Sequence, residues 1–420
     1  MTQKGMLEGI KVADFSWVAV GPQVTRELAE QGATVVRVES HKRPDLLRVA
    51  MPYKDGIAGI DRSGYWTAYN SNKYGMSVDL SKPGGREAAR KLVAWADIVA
   101  DGFAPGAMKK LGLDYESCRQ IKPDIIYFST TQMGQNGPYA AFGGYGHHGA
   151  AYAGFSHLTG WPDRPPVLIT NPYTDFISPW YVCSLVILAL DYRQRTGKGM
   201  YFDQSQIEVG LNFWGPALLD YVVQGRIATR MGNRDPDMAP HGAFPCRGND
   251  RWVVIAVATD EEWQALCRAM GDPPWAREPR FATFLARKEN EDEMEPLIAE
   301  WSKDYSPEEV MVRLQDAGVS AGVVETAEDL LNDPQLKHRG HFVPLEHKVI
   351  GIHYYEAPAY RLSKTPAQLR RAAPCLGQDN EFVYKEILGY SDEEVTQFLL
   401  DGVITTEDDV PDIMKPRKPS

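Results

Sequence analysis

Cysteine is scarce in this chain, with five in 420 residues, at 118, 183, 246, 267 and 375. They are widely separated and odd in number. No CxxC or CxxH pair occurs among them, so neither a disulfide framework nor a metal centre is indicated. Basic charge is in deficit as well: 45 Lys and Arg against 56 Asp and Glu leave a net charge of −11. A nucleic-acid binder normally shows the opposite balance or a basic stripe. Long apolar runs are missing. The longest, Trp180 to Leu190, stops at Asp191, short of the ~20 apolar residues that cross a bilayer. The first eight residues hold no apolar core of a secretory leader. These absences point to a protein of a reducing, cytoplasmic compartment, with neither a membrane nor nucleic acid as partner. What is present is ordinary for a globular chain. Residues that are 43% hydrophobic and 24% charged exclude disorder and fibrous repeats, and the length suits roughly two to three domains.

The first half alternates strand and helix. Segments 9–15, 33–39, 97–100 and 124–129 are short, β-branched and bounded by turns, whereas 23–31 and 83–96 have helical signatures, the former stopping at Gly32. Strands separated by helices imply a parallel sheet, and ligands of such sheets bind beyond the carboxyl ends of the strands. The expected architecture is α/β: a large Rossmann-like domain over 1–200, a linker helix over 201–224, a smaller α/β domain over 225–330, and a C-terminal segment, 331–420, returning to the large domain. The tail from Pro411 to Ser420 reads as frayed.

Several familiar motifs are absent. Val18-Ala-Val-Gly-Pro22 stands where a GxGxxG would follow the first strand, and no P-loop or GxSxG occurs. His147 and His148 are adjacent, and neighbouring side chains on a helix or strand diverge too far to share one ion. Asp175 draws attention within Asn171-Pro-Tyr-Thr-Asp-Phe-Ile-Ser-Pro179, just before an apolar helix. A carboxylate there can be desolvated and used as a nucleophile, although residue type alone favours a plain helix cap. Glycines gather at 134–137 and 143–146, where backbone can approach a reacting carbonyl or simply turn. Basic residues near the expected rim, among them Arg37, Lys42, Arg43, Lys73 and Lys110, are available to phosphates or are ordinary surface charges.

Taken in order, several stretches resemble the class III coenzyme A transferases, the CaiB/BaiF family. They include Leu7-Glu-Gly-Ile-Lys-Val-Ala-Asp-Phe15, Leu28-Ala-Glu-Gln-Gly-Ala-Thr-Val-Val-Arg-Val-Glu39 and Asn70-Ser-Asn-Lys73. Pro105-Gly-Ala-Met-Lys-Lys-Leu-Gly-Leu-Asp-Tyr115, Gly134-Gln-Asn-Gly-Pro-Tyr139, Arg195-Thr-Gly-Lys-Gly199 and Asp333-Pro-Gln-Leu336 continue the series. The resemblance implies that Asp175 is the nucleophile and that CoA moves between acids through aspartyl anhydride and aspartyl-CoA thioester intermediates. It implies no permanently bound cofactor or metal, with the CoA thioester as substrate. Arg37, Lys42, Arg43, Asn72, Lys73, Phe103 and Lys110 would contact CoA, and Gly143, Gly144 and Tyr145 would shield or polarise the intermediates. An interlocked dimer, of two copies or with a related chain, is also implied.

Departures from the pattern narrow the chemistry. Gly144-Tyr145-Gly146 stands where racemases of the family have Gly-His-Asp, which leaves His147 as a substitute base in an alternative racemase or epimerase reading. Ala19 replaces the Gln of formyl-CoA enzymes in the first loop. The segment around Asp175 is similar to the succinyl-CoA:benzylsuccinate subgroup, which implies a succinyl-CoA or other dicarboxylyl-CoA donor and a dicarboxylic or aromatic acceptor. A non-catalytic partner subunit is a further alternative, and possession of Asp175 argues against it.

Overall fold

The computed structural model describes residues 4–414; of the tail expected to fray, Pro411–Ser420, residues 415–420 lie outside the described residues, and Asp412–Met414 form a short 3-10 turn. Two compact units divide the chain, one comprising Met1–Phe155, Leu168–Arg226 and Gln335–Ser420, the other Ser156–Val167 and Ile227–Pro334.

In the first unit, six parallel strands form one sheet: β1 (Lys11–Asp14), β2 (Thr34–Glu39), β3 (Tyr74–Ser77), β4 (Ile98–Asp101), β5 (Ile126–Thr131) and β6 (Met200–Ser205). Their spatial order is 3-2-1-4-5-6. Alternate side chains of one strand enter different cores. Val36, Val99 and Tyr127 pack with the helix α1 of residues Pro83–Trp95, through its Ala88, Ala89, Leu92 and Val93. Val35, Ile98, Ile126 and Phe128 pack instead with Val182, Val186 and Ala189. Those three lie on α2 (Tyr173–Thr196), whose buried residues recur every three or four positions. Helices therefore cover both faces, as a parallel sheet requires.

The linker helix expected over 201–224 is corrected by β6. Met200 to Ser205 pair residue for residue with Ile126 to Thr131, and this pairing overrides a weak local helical pattern. The helix Gln206–Leu211 starts only afterwards, capped by Ser205, whose hydroxyl accepts from the Glu208 N–H. A second correction concerns α2. It is 24 residues long and apolar enough to cross a membrane by length and composition, and 39% of its most apolar 18-residue stretch is buried inside the protein. Counting an uninterrupted apolar run had missed it, although a core helix on a sheet satisfies the same criterion.

The second unit is a three-stranded antiparallel sheet, β7 (His241–Pro245), β8 (Trp252–Ala256) and β9 (Ser320–Val323). Helices Asp260–Ala269, Glu291–Ser302 and Pro307–Asp316 supply its core with Trp263, Leu266, Met294, Ile298, Val310 and Leu314. Thr259 and Ser306 each begin a helix with a reciprocal cap to a Glu three residues on.

Candidate active site

β1 and β4 are neighbours in the sheet but not in sequence, so the chain leaves them in opposite directions. Loops diverging from such a switch point open a crevice beyond the strand ends. Here it is a cavity of about 530 Å³. Trp17 to Gly21 line it from the loop after β1, Gly102, Ala104 and Pro105 from the loop after β4, and Thr130 to Met133 from the end of β5. Leu46, Leu47, Ala50 and Tyr65, residues 140–147, Pro172, Asp175 and Gln206 complete the wall.

Asp175 lies in the first turn of α2, 7% exposed. Its N–H donates to the Pro172 carbonyl (2.8 Å), and Gln23 Nε2 donates to its backbone carbonyl (3.3 Å). The backbone is held, and Asp175 lies inside the first turn, three residues past the N-cap residue Pro172, so the plain helix-cap alternative does not describe it. Burial alone pushes its carboxyl up to about 7. The reason is direct: a carboxylate removed from water without a compensating cation favours its neutral form. That environment also suits an acylated aspartate, which carries no charge. Gly146 makes the approach possible. A Cβ at 146 would stand 2.1 Å from Asp175 Oδ2 and 2.4 Å from its Cγ, so any larger residue would displace the carboxyl.

The other expected residues divide into two groups. Gly143, Gly144 and Tyr145 line the cavity. Gly144 abuts Gln132, where a Cβ would fall 2.6 Å from Oε1, whereas Gly143 has open space around it. Phe103 packs on Trp17 at 5.3 Å between ring centroids, and the Arg43 guanidinium lies over the Trp17 ring, 5.5 Å from its centroid. Arg43 and Lys110 are exposed, and Lys42, also exposed, pairs with Asp79 at 2.9 Å. A smaller cavity of about 250 Å³ shares Ala104 with the larger one and includes Lys109.

Arg37, Lys73 and Asn72 require correction as CoA contacts. Arg37 and Lys73 have no exposed side-chain surface, and both pair with Asp14 (3.2 and 3.1 Å), while Arg37 also reaches Asp45. Their charges are committed inside the protein, where a phosphate has no access. Asn72, with φ of 61°, binds the 368–371 segment: its Nδ2 donates to the Gln368 carbonyl, and its Oδ1 accepts from the Arg370 and Arg371 N–H groups. Position along the chain had suggested rim residues; strand direction and packing turned them inward.

Sequence reasoning missed Thr131, Gln132 and Gln206, neutral residues with no motif to mark them, and did not single out Gly146 from its neighbours. His147 faces the cavity, while His148 Nδ1 accepts from the Tyr145 N–H (3.1 Å), so the two histidines serve different places. No cluster of three metal-ligating side chains occurs among the described residues.

Comparison with known proteins gives a consistent result. The model of CoA-transferase family III matches residues 7–380. The chain is 31% identical to succinyl-CoA–D-citramalate CoA-transferase of Chloroflexus aurantiacus, over 95% of this chain and 98% of that protein. It is likewise 31% identical to succinate–glutarate CoA-transferase of Agrobacterium fabrum, over 92% and 96% of the two chains. A crystal structure of a CaiB/BaiF family protein from Brucella suis superimposes with a TM-score of 0.84 at 31% identity, covering 92% of this chain and 100% of the other.

Proposed function

This chain belongs to CoA-transferase family III, and from that premise we propose that Asp175 carries CoA from a donor thioester to an acceptor acid. The observation that carries the reading is an uncompensated buried carboxylate, poised near neutral pH, on the wall of the switch-point cavity. One Asp175 oxygen attacks the donor thioester carbonyl, forming a mixed anhydride and releasing CoA thiolate. The thiolate then attacks the aspartyl carbonyl of the anhydride, releasing the donor acid and leaving an aspartyl-CoA thioester. An acceptor carboxylate displaces the thiolate to give a second anhydride. Return of thiolate to the acceptor's carbonyl yields the new acyl-CoA and frees Asp175. Acyl-bond energy is retained throughout, provided water is excluded from the anhydrides.

The donor in this reading is succinyl-CoA or another dicarboxylyl-CoA, in line with the names of the similar enzymes. Trp17, Phe142 and Tyr145 on the cavity wall suit a bulky apolar or aromatic acceptor. Arg43, Lys42 and Lys110 remain the candidates for the CoA phosphates, with Phe103 and Trp17 beside them. Assembly with a second copy, or with a related chain, would cover apolar surface that one chain leaves exposed. The helix Gly215–Gln224 buries none of its residues, and Val222 and Val223 are 77% and 76% exposed. Five free cysteines, four of them buried, accord with a cytoplasmic location.

Intact-protein mass spectrometry of the chain purified alone, after mixing with succinyl-CoA, tests the reading. A CoA-thioester adduct mapped to Asp175, absent from Asp175→Ala, is the expected result. CoA exchange that survives in Asp175→Ala would refute the covalent route. A second reading, racemisation of the acyl-CoA, draws on His147 and Asp175 lining one cavity. It requires deuterium from solvent to enter the α-carbon of the bound acyl group, whereas transfer alone leaves that position unlabelled.

A further inference from the structure

The wall of the Asp175 cavity contains buried polar atoms that no protein group satisfies. Thr131 Oγ1, both side-chain heteroatoms of Gln132, His147 Nδ1 and Gln206 Oε1 all lack a hydrogen-bond partner among the described residues. Gln132 and Gln206 are only 9% and 8% exposed. Leaving such a group unpaired in the interior is unfavourable, so several on one cavity wall are not incidental to folding. The backbone holds Gln132 in place, because its carbonyl accepts from Ser205 Oγ (3.0 Å) and from the Ile207 N–H (3.1 Å). Small residues make room for its amide: a Cβ at Gly149 would lie 3.5 Å from Gln132 Nε2 and 3.0 Å from Thr174 Oγ1, the side chain preceding Asp175.

The chemistry of the unpaired atoms restricts what can satisfy them. No Lys or Arg lines this cavity. A carbonyl or carboxylate only accepts hydrogen bonds, so it can satisfy Gln132 Nε2 but leaves both glutamine Oε1 atoms unpaired. A group that donates and accepts can satisfy both kinds. We propose that Gln132 and Gln206 anchor a neutral, donating-and-accepting group of the substrate and position the reacting carbonyl at Asp175. Two parts of an acyl-CoA have that chemistry: a hydroxyl on the transferred acid, and an amide of the pantetheine arm. The inference rests on the transfer reading and adds to it the residues that select the substrate.

The test measures kcat/KM for transfer by the full chain and by Gln132→Leu and Gln206→Leu. The acceptors are paired, succinate with malate and butyrate with 3-hydroxybutyrate, and the donors are succinyl-CoA and the succinyl thioester of ethanethiol, which has no amide. A drop of about 10- to 100-fold confined to the hydroxylated acid of each pair assigns the anchor to the acid. A drop of that size for every acid with the CoA donor, absent with the ethanethiol thioester, assigns it to the pantetheine arm. Unchanged kcat/KM in both variants with every probe overturns the inference while leaving transfer at Asp175 intact. A wild-type chain that forms no Asp175 adduct and exchanges no CoA overturns the transfer reading, and this inference with it. Should Gln132→Leu lower the melting temperature, Gln206→Leu carries the same comparison.

Discussion

Asp14 and Asp175 are both buried carboxylates of one unit, and their surroundings oppose each other. Asp14 ends β1 with no exposed surface. It accepts hydrogen bonds from the Ser16 N–H and hydroxyl and from the Thr25 hydroxyl, and it pairs with Lys73 and Arg37. Burial pushes its pKa up, but the two cations and two hydroxyls outweigh that effect and hold it below the ordinary carboxylate value. Asp175 experiences the same desolvation with nothing opposing it, and its pKa rises to about 7. Depth is common to both residues, so depth does not decide which carboxyl has its pKa raised. The decisive variable is whether counter-charge has been brought in with the carboxylate.

The strongest way to break this contrast is to neutralise the compensated member. Asp14→Asn leaves Lys73 without a carboxylate partner in the interior, while Arg37 keeps Asp45, and should lower stability by about 3–5 kcal/mol in urea unfolding. If Asp14→Asn were as stable as wild type, the network would not be the structural element described here. Next in size is Gly146→Ala. The added methyl would overlap both the Asp175 carboxyl and Pro172 Cβ, so transfer should slow by on the order of 10²-fold and stability should fall by about 1–3 kcal/mol. Normal turnover in that variant would mean that the position of the carboxyl against Gly146 does not matter.

The smallest effect is in pH dependence, where the two carboxylates should have opposite signs. Attack needs ionised Asp175, so the rate of its acylation should fall about tenfold per pH unit below about 7, measured by rapid quench. A flat profile from pH 5 to 8 would contradict the raised pKa. In stability, Asp175 contributes fully below its unfolded value of 3.8, and that contribution is lost as pH rises through about 7. Asp14, with its lowered pKa, stabilises above its ordinary value and loses that contribution as pH falls through its folded value. Asp175→Asn should therefore remove a decline in stability between pH 4 and 7 that wild type shows.

Much of the parallel sheet was legible because short β-branched runs alternate with amphipathic helices. The strand Lys11–Asp14 and the helix Pro83–Trp95 fall inside the segments read for them, which burial and turn signals delimit. β6 was not legible, since Met200 to Ser205 has a weak local pattern and becomes a strand by pairing with β5. Among the candidate residues, Asp175 stood out through its place before an apolar helix, a local feature. Arg37 and Lys73 were misjudged because residue type and chain position say nothing of which way a side chain turns, and theirs turn to Asp14. Gln132 and Gln206 were missed because an unsatisfied amide looks like any other glutamine until its neighbours are known.

Residue order alone thus determined the alternation of strand and helix, the identity of the buried acid before an apolar helix, and the family to which the chain belongs. The tertiary structure decided which charges are neutralised, which glycine faces the carboxyl, and which polar atoms stay unpaired. The physical reason is range. Helix caps and periodic apolar faces arise among residues a few positions apart, whereas desolvation and charge compensation depend on groups that folding brings together from distant parts of the chain.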